Sequence, residues 1–194
     1  MRRVAAVVAL ALAGSLLTVA PAEARTCPPA STGGPTVAEV KVGKRTVPVK
    51  RVTFRNGGVL NPPATNLAAG LSARNQKLSA KKGASVITWH VRYGPGCDGA
   101  LNSLITLPMG STFTVGAVGK TPRWYKIVKR ETVPKGKLKR SWFSHGGRKR
   151  IVLITCADYA GGVFRRTMGI TAIPIPAPVT PSPTAAVPPP TPAT

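Results

Sequence analysis

The 194-residue sequence is poor in acidic residues, histidine and cysteine. It has 5 acidic residues against 28 lysines and arginines, with 2 histidines and 3 cysteines. The histidines and cysteines are scattered and lack the spacing of zinc ligands, so we expect neither a metal nor another cofactor. Helix signals are scarce as well, which leaves strands as the main expected element.

Long apolar runs are missing except at the amino terminus. Residues 1–24 begin with Arg2 and Arg3, continue through the apolar stretch 4–20, and end in the small-residue site Ala22-Glu23-Ala24. This pattern predicts a secretory signal peptide, with an uncleaved membrane anchor as the alternative. Since no later run is long enough to span a bilayer, we expect the functional part to be secreted or exposed at the cell surface.

The remaining composition predicts one folded domain between two extended segments. Residues 25–35 have the Pro, Gly and Ser content of a linker, and residues 176–194 form an uncharged tail rich in Pro and Thr. A tail of this kind cannot build a core and is typical of an extended spacer. The foldable segment is therefore 36–175, which suits a single domain.

The net charge of +23 predicts attraction to polyanions. Outside a cell, anionic wall polymers are the expected partners, held by charge. Basic and aromatic residues do interleave in RWYKIVKR and KRSWF, as in nucleic-acid binders. However, the export signal and the spread of basic residues over the whole chain argue against a specific nucleic-acid partner.

Short strand-like segments recur between Gly, Pro and Asn clusters. Several alternate apolar with basic or polar residues, which is typical of strands with one solvated face. Together they predict an all-β barrel or sandwich, with short helices near 65–75 and 100–106. The predicted strands are 36–42, 46–54, 85–91, 111–119, 123–133, 148–156 and 167–175.

The three cysteines are placed unequally. Cys27 and Cys97 lie in Pro- and Gly-rich segments, whereas Cys156 ends the apolar run IVLITC. In an oxidising compartment an odd count leaves one thiol over, and a Cys27–Cys97 disulfide would leave Cys156 free. From the residues alone, Cys156 is a buried core residue, half of a disulfide or a nucleophile, and the first of these is the commonest.

A nucleophilic cysteine requires a base or cation beside it and a donor for the oxyanion. The candidates are His90, at the end of a strand-like run, His145 in the loop FSHGGRKR, and the pair Arg165-Arg166 after the cysteine. Side chains at strand ends on one rim of a barrel can converge on a cleft.

The order of these features resembles the sortases, the cysteine transpeptidases of Gram-positive surfaces. VLITC at 152–156 is similar to the family's TL-x-TC motif around its nucleophile, and FRRTMGITA at 164–172 is similar to the strand that begins near its arginine. Trp89-His90 stands where the family has its histidine after an apolar strand. GGVLNPPAT at 57–65 resembles a segment of the actinobacterial class F and E enzymes.

The resemblance implies a closed eight-stranded β-barrel with one or two short helices. It implies that Cys156 forms a thioacyl intermediate with a C-terminal sorting signal of a secreted protein, with His90 as acid and base and Arg165 at the oxyanion. The acyl acceptor would be an amine of a peptidoglycan precursor or protein, or water. We expect a monomer. Loop 132–147 either contacts the substrate through Trp142, Phe143 and its basic residues or is a solvated loop with a tucked aromatic pair.

Two alternatives differ from this interpretation. One is a catalytically inactive, secreted basic protein with a sortase-like barrel that binds anionic wall polymers. The other is an L,D-transpeptidase, which places cysteine next to a Ser-His-Gly element. In SHGG at 144–147 a glycine occupies the position of that thiol, so we reject the second.

Overall fold

The computed structural model describes residues 27–29, 34–55, 59–94 and 96–178. The predicted signal peptide and most of the predicted tail lie outside these residues. The described part contains strands β1 (Thr36–Val42), β2 (Arg45–Val52), β3 (Phe54–Arg55), β4 (Val59–Leu60), β5 (Ala69–Ser72), β6 (Ala84–Thr88), β7 (Thr112–Ala117), β8 (Arg123–Pro134), β9 (Arg150–Ala160) and β10 (Val163–Ile175), helix α1 (Ser103–Thr106), and a 3₁₀ turn at Arg140–Phe143. None of the helices among the described residues has the length and apolar character needed to cross a membrane.

Eight strands close into a barrel in the order β1-β2-β5-β6-β9-β10-β8-β7, and β3 and β4 form a separate hairpin. The predicted closed eight-stranded barrel is therefore confirmed. Most neighbours are antiparallel, but β2 with β5 and β6 with β9 run parallel. Strand β1 begins at Thr36 and β10 ends at Ile175, the two limits of the segment from which we expected the domain.

Two apolar clusters stabilise the barrel, one inside it and one on its outer surface. The inner cluster includes Ile87, Trp89, Leu153 and Ile170, all fully or almost fully buried. The outer cluster packs Trp142 of the 3₁₀ turn on the exterior of β6, β9 and β8; its buried members are Ala84, Val86, Val133, Trp142, Val152 and Ile154. Both faces of β9 are thus covered along most of its length, which explains why its sequence is almost continuously apolar.

The helix expected near 65–75 is wrong. This segment contains β5, whose four residues are all buried between β2 and β6. A strand covered on both faces has no polar–apolar alternation, so its composition did not distinguish it from a helix. The second expected helix, near 100–106, corresponds to α1 at Ser103–Thr106.

The strands around the last cysteine are longer than expected. Strand β9 continues past Cys156 to Ala160, and β10 begins at Val163 rather than Thr167. The two are joined by a two-residue turn, Gly161-Gly162, in which both residues have positive φ (58° and 82°). That geometry is the one a tight hairpin needs, because it matches the twist of the strands.

Candidate active site

The parallel pairing of β6 with β9 determines where His90 lies relative to Cys156. Each β6 residue pairs with the residue 66 positions later, from Ala84 with Arg150 to Thr88 with Ile154. Beyond the last pair, the Trp89 N–H donates to the Ile154 carbonyl (3.3 Å), and the Thr155 hydroxyl donates to the Trp89 carbonyl (2.9 Å). Continued by one more position, this register would set His90 opposite Cys156, at the end of the barrel where β6 finishes. We call this end the rim.

The alternation of side chains puts both residues on the outer face of the barrel. Trp89 and Leu153 belong to the inner cluster, whereas Val86 and Ile154 belong to the outer one. Since successive side chains of a strand point to opposite faces, Cys156 shares the outer face with Ile154, and His90 would share it where the backbone stays extended beyond the end of β6 at Thr88. The Trp89 indole points inward and donates to the Asn102 side chain (3.3 Å), so it does not occupy the site.

His90 is half-buried and held by two neighbours. Its imidazole is hydrogen-bonded to the backbone of Pro63, and its ring lies edge-on to the Tyr93 ring at 5.2 Å between centroids. Because proline has no N–H, the carbonyl oxygen of Pro63 is the acceptor and the imidazole is the donor. Burial lowers the pKa of His90, and the bond to Pro63 opposes that shift. Because burial is the larger of the two effects, the pKa of His90 is lowered overall, which favours the neutral imidazole.

Cys156 is a free, half-buried thiol. Burial raises the pKa of Cys156, and the positive charge of Lys135 opposes the shift. Desolvation disfavours the charged form of both groups, so the resting site holds a thiol and a neutral imidazole rather than an ion pair. Thiolate formation therefore depends on nearby cations and on a base that accepts the thiol proton.

Lys135 is a cation whose charge acts on the Cys156 thiol. The sequence had suggested only that Lys135 belongs to the loop expected to contact the substrate. It follows β8, its N–H donates to the Arg165 carbonyl (2.9 Å), and its ammonium lies 5.9 Å from the centre of the Phe164 ring. These contacts hold the lysine at the rim. No local motif marked it, because its proximity to Cys156 arises from the pairing of β8 with β10.

We expect Lys135→Gln to slow alkylation of Cys156 at neutral pH. The substitution removes the charge that lowers the pKa of Cys156, so the pKa rises further and the thiolate fraction at a given pH falls. The rate of iodoacetamide labelling, followed by mass spectrometry across a pH series, measures this effect. Lys137→Gln removes an exposed charge two residues away and serves as the control; equal slowing in both variants would contradict a specific role for Lys135.

Arg165 and Arg166 lie on opposite faces of β10. Thr167 pairs with Cys156 and Arg166 with Ala157. By alternation, Arg165 shares the face of Thr167 and Cys156, whereas the Arg166 guanidinium donates to the Thr132 carbonyl (3.4 Å). The Arg165 side chain is exposed, and its Nη2 atom lies 3.9 Å from the position that a Cβ on Gly161 would take. Its guanidinium therefore lies toward the Gly161-Gly162 turn, and its backbone is two residues from Thr167, which pairs with Cys156.

The ladder between β9 and β10 is interrupted opposite Arg165. The pairs on either side are regular, but Asp158, which this register sets across from Arg165, has a φ of 57°. A non-glycine residue in the left-handed region is uncommon inside a strand and often marks a functional position. Asp158 thus interrupts the β9–β10 pairing two residues after the nucleophile candidate, within a strand that continues to Ala160.

The structure does not bring His145 to this site. Its backbone carbonyl accepts from the Gln76 side chain, and the neighbouring Ser144 carbonyl accepts from the Ala84 N–H at the start of β6. His145 therefore lies near the opposite end of the barrel, which we call the base. Its side chain lines a cavity of about 300 Å³ with Phe54, Arg74, Asn75 and Phe143.

The expected substrate contact through Trp142 is wrong. Trp142 is only 2 % exposed and packs over Gly169 of β10, where a Cβ would approach the indole to 2.4 Å. The indole N–H donates to the Glu131 carboxylate (3.4 Å). Trp142 thus fixes loop 132–147 to the barrel surface, and the partly exposed Phe143 lines the cavity at the base with His145.

Glu131 is the ionic anchor of the same loop. Lys139 hydrogen-bonds to its carboxylate and lowers the pKa of Glu131 to about 2, with further contributions from Lys129 (3.1 Å) and Trp142. A lowered carboxyl pKa stabilises the fold above the ordinary value of 4.5, and this contribution is lost as the pH falls toward 2.

We expect Glu131→Gln to cost about 1 kcal/mol at pH 7, because the two lysines are largely solvent-screened. Urea unfolding of the wild type should weaken between pH 5 and pH 2, and this part of the loss should be missing in the variant. Glu39→Gln, at an exposed carboxylate of β1, serves as control. Parallel pH profiles for wild type and Glu131→Gln would contradict the anchoring role.

The predicted disulfide between Cys27 and Cys97 is confirmed. The two Cα atoms are 5.5 Å apart, and Cys156 is the free cysteine. The Thr65 hydroxyl also donates to the Pro28 carbonyl (2.7 Å). Segment 27–29 is thus fastened to the loop that follows His90 and to the segment that contains Pro63. Among the described residues, no group of three His, Cys, Asp or Glu side chains is arranged to hold a metal.

Comparison with known proteins gives a fold but no sequence relative. No family model matches the chain, and no curated protein matches it. Similar solved structures include sortase C1 of Streptococcus agalactiae in complex with MTSET (14 % identity, 75 % of this chain and 70 % of that one, TM-score 0.57). Sortase C-1 of Actinomyces oris is 17 % identical, with 74 % of this chain and 75 % of that one covered and a TM-score of 0.57. A lid mutant of sortase A from Corynebacterium diphtheriae is also 17 % identical, with 76 % of this chain and 73 % of that one covered and a TM-score of 0.57.

Proposed function

We propose that this chain, which has the fold of the sortases, is a cysteine transpeptidase acting on secreted proteins that carry a C-terminal sorting signal. The β6–β9 register is the observation that supports the proposal, because its continuation by two residues beyond Thr88 and Ile154 would set His90 opposite a free Cys156 at the barrel rim. The export signal expected in residues 1–24 supports a site of action outside the cytoplasm. The likeness of GGVLNPPAT to class F and E enzymes remains a prediction.

In the proposed reaction, the Cys156 proton moves to His90 and the sulfur attacks a backbone carbonyl of the sorting signal. A carbon–sulfur bond forms, the peptide C–N bond breaks, and His90 returns the proton to the leaving amine. An incoming amine then attacks the thioester and loses a proton to His90, and Cys156 leaves as the thiolate, which takes that proton back from His90 and restores the thiol and the neutral imidazole. The amine of a peptidoglycan precursor or of another protein gives transfer, and water gives hydrolysis.

Charge at the rim supports the oxyanion step. Arg165 lies on the face of Cys156, and Lys135 contributes a positive field at the thiol. Cations aimed at the position where negative charge develops stabilise the transition state more than the ground state. We assign the oxyanion contact to Arg165 and the activation of the thiol to Lys135 together with His90.

Trapping the acyl-enzyme tests the proposal. Purified protein is mixed with peptides that vary around a Leu-Pro-x-Thr-Gly motif, quenched in acid and analysed by intact mass. We expect an added acyl fragment on Cys156 that hydroxylamine releases, and no addition to protein alkylated beforehand. A thiol that iodoacetamide reaches only after unfolding would contradict the chemistry. A reactive thiol that forms no adduct with any peptide would contradict the substrate class.

A further inference from the structure

The base of the barrel, opposite Cys156, contains a cavity that the proposed chemistry does not use. Its volume is about 310 Å³, and it is lined by Lys81, Arg148, Lys149, Ile173 and Pro174. Lys149 immediately precedes β9, whereas Cys156 lies near the far end of the same strand. At about 3.3 Å per residue, the two positions are roughly 20 Å apart.

Lys149 is a buried cation at the wall of this cavity. It is 8 % exposed, and its ammonium donates to the Ser85 hydroxyl (2.7 Å) and the Lys77 carbonyl (3.1 Å). Both acceptors are neutral, and in the part of the chain that the structure describes no carboxylate forms an ion pair with Lys149. Because an ammonium has three N–H groups, these two contacts leave one donor for a ligand.

The surroundings of Lys149 are positively charged. The pKa of Lys149 is lowered to about 8, mainly by burial and to a smaller extent by the positive charge of Arg123 at the start of β8. The exposed side chains of Lys81 and Arg148 add two further cations at the cavity mouth. A buried charge among like charges costs free energy, and a bound anion would offset that cost.

The backbone around the cavity is held in place by the sheet. Lys82 and Arg148 form a β-bridge, and the Gly83 N–H donates to the Gly147 carbonyl (3.0 Å). The Arg150 N–H donates in turn to the Gly83 carbonyl (3.1 Å). The segments that carry Lys81, Arg148 and Lys149 are thus fixed relative to one another before any ligand arrives, which reduces the entropy lost on binding.

We propose that this cavity binds a phosphate group, with Lys149 donating from its buried wall and Arg148 and Lys81 from its mouth. A phosphate offers several acceptor oxygens, which suits one ammonium beside a guanidinium fork. The volume exceeds what a phosphate alone fills, and Ile173 with Pro174 supplies an apolar wall for the carbon part of an ester. The ligand is therefore a phosphate ester, either a small molecule or one unit of a polyol-phosphate polymer.

Titration of the ¹⁵N-labelled whole chain tests the site. Glycerol 3-phosphate and an oligomer of glycerol phosphate are added at constant ionic strength, and the amide signals of Ser85, Lys149 and Ile173 are followed by NMR. We expect saturable shifts at these residues. Saturation by the monoester indicates a small-molecule ligand, and saturation by the oligomer alone indicates a polymer; both outcomes support the site.

Two variants, each lacking one positive charge, distinguish phosphate binding in this cavity from nonspecific attraction of an anion to a basic protein. Arg148→Gln alters an exposed side chain at the cavity and should weaken binding about tenfold. Lys44→Gln removes an exposed charge from the β1–β2 turn at the rim and should leave binding unchanged. Shifts that do not saturate, shifts spread over the whole surface, or equal weakening by both variants would overturn the proposal.

Discussion

Replacing Cys156 by alanine is expected to reduce acyl transfer to background. The substitution removes the sulfur that forms the thioester, and no second free cysteine lies in the described residues to replace it. Alanine is smaller and apolar, so the sheet around the half-buried position should persist. An unchanged thermal unfolding midpoint and an intact Cys27–Cys97 disulfide would establish that activity is lost without loss of the fold. Residual turnover at the wild-type rate would contradict the nucleophile assignment.

His90→Ala should lower transfer by a factor on the order of 10² to 10⁴, the usual contribution of general acid–base catalysis. Since His90 also receives the thiol proton, this variant should change the pH dependence of Cys156 alkylation. His145→Ala is the matched control, because His145 lies near the base. A loss of activity in the His145 variant equal to that in the His90 variant would contradict the assignment of His90.

The adjacent arginines form a second matched pair. Arg165→Ala should lower transfer by a factor on the order of 10² to 10³, as removal of an oxyanion donor does. Arg166→Ala removes the same charge from the neighbouring position, whose guanidinium bonds to the Thr132 carbonyl, and should have a much smaller effect. If Arg166→Ala is the damaging variant, the oxyanion contact belongs to the other arginine.

Gly99→Ala is expected to displace His90 and to destabilise the rim. A Cβ at position 99 would lie 1.8 Å from the His90 carbonyl oxygen and 2.7 Å from the Asn102 side chain. Neither contact can be tolerated without movement of the backbone that carries His90, and overpacking of this kind costs typically 1 to 3 kcal/mol. Transfer should fall together with the rate at which Cys156 is alkylated.

Gly94→Ala gives the control for this prediction. Gly94 lies in the same loop, but a Cβ there would meet no atom within 4 Å. We therefore expect near-normal stability and activity. Urea unfolding and single-turnover acyl transfer, measured on both variants, check the prediction. Equal behaviour of the two would show that the loop accommodates the added methyl group and that the position of His90 does not depend on Gly99.

Most barrel strands could be predicted from local patterns because each has a solvated face or clear turn residues at its ends. Strand β1 was predicted with its observed bounds, and β7 and β8 nearly so. Strand β5 was missed, since its four buried residues lack alternation. The extension of β9 and β10 around Gly161-Gly162 was missed because pairing between the two strands, rather than either sequence alone, stabilises it.

The sequence suggested members for the candidate site but not its geometry. Cys156, His90 and the arginine pair were chosen from residue type, strand ends and resemblance, and their roles stay predictions. The separation of 66 residues between His90 and Cys156 acquires meaning only through the parallel β6–β9 register, a non-local contact. The roles of Pro63, Lys135 and Gly99 likewise depend on distant segments meeting at the rim, and no local motif reports such contacts.

The fastening of segment 27–29 has a practical consequence for handling the protein. The disulfide to Cys97 and the Thr65–Pro28 bond hold this segment close to the loop after His90, whereas β10 finishes at Ile175 at the base. A reporter fused just ahead of Cys27 would emerge beside the loop that follows His90. A fusion or an immobilisation handle joined directly after Ile175 would begin at the base, which leaves the rim open to incoming chains.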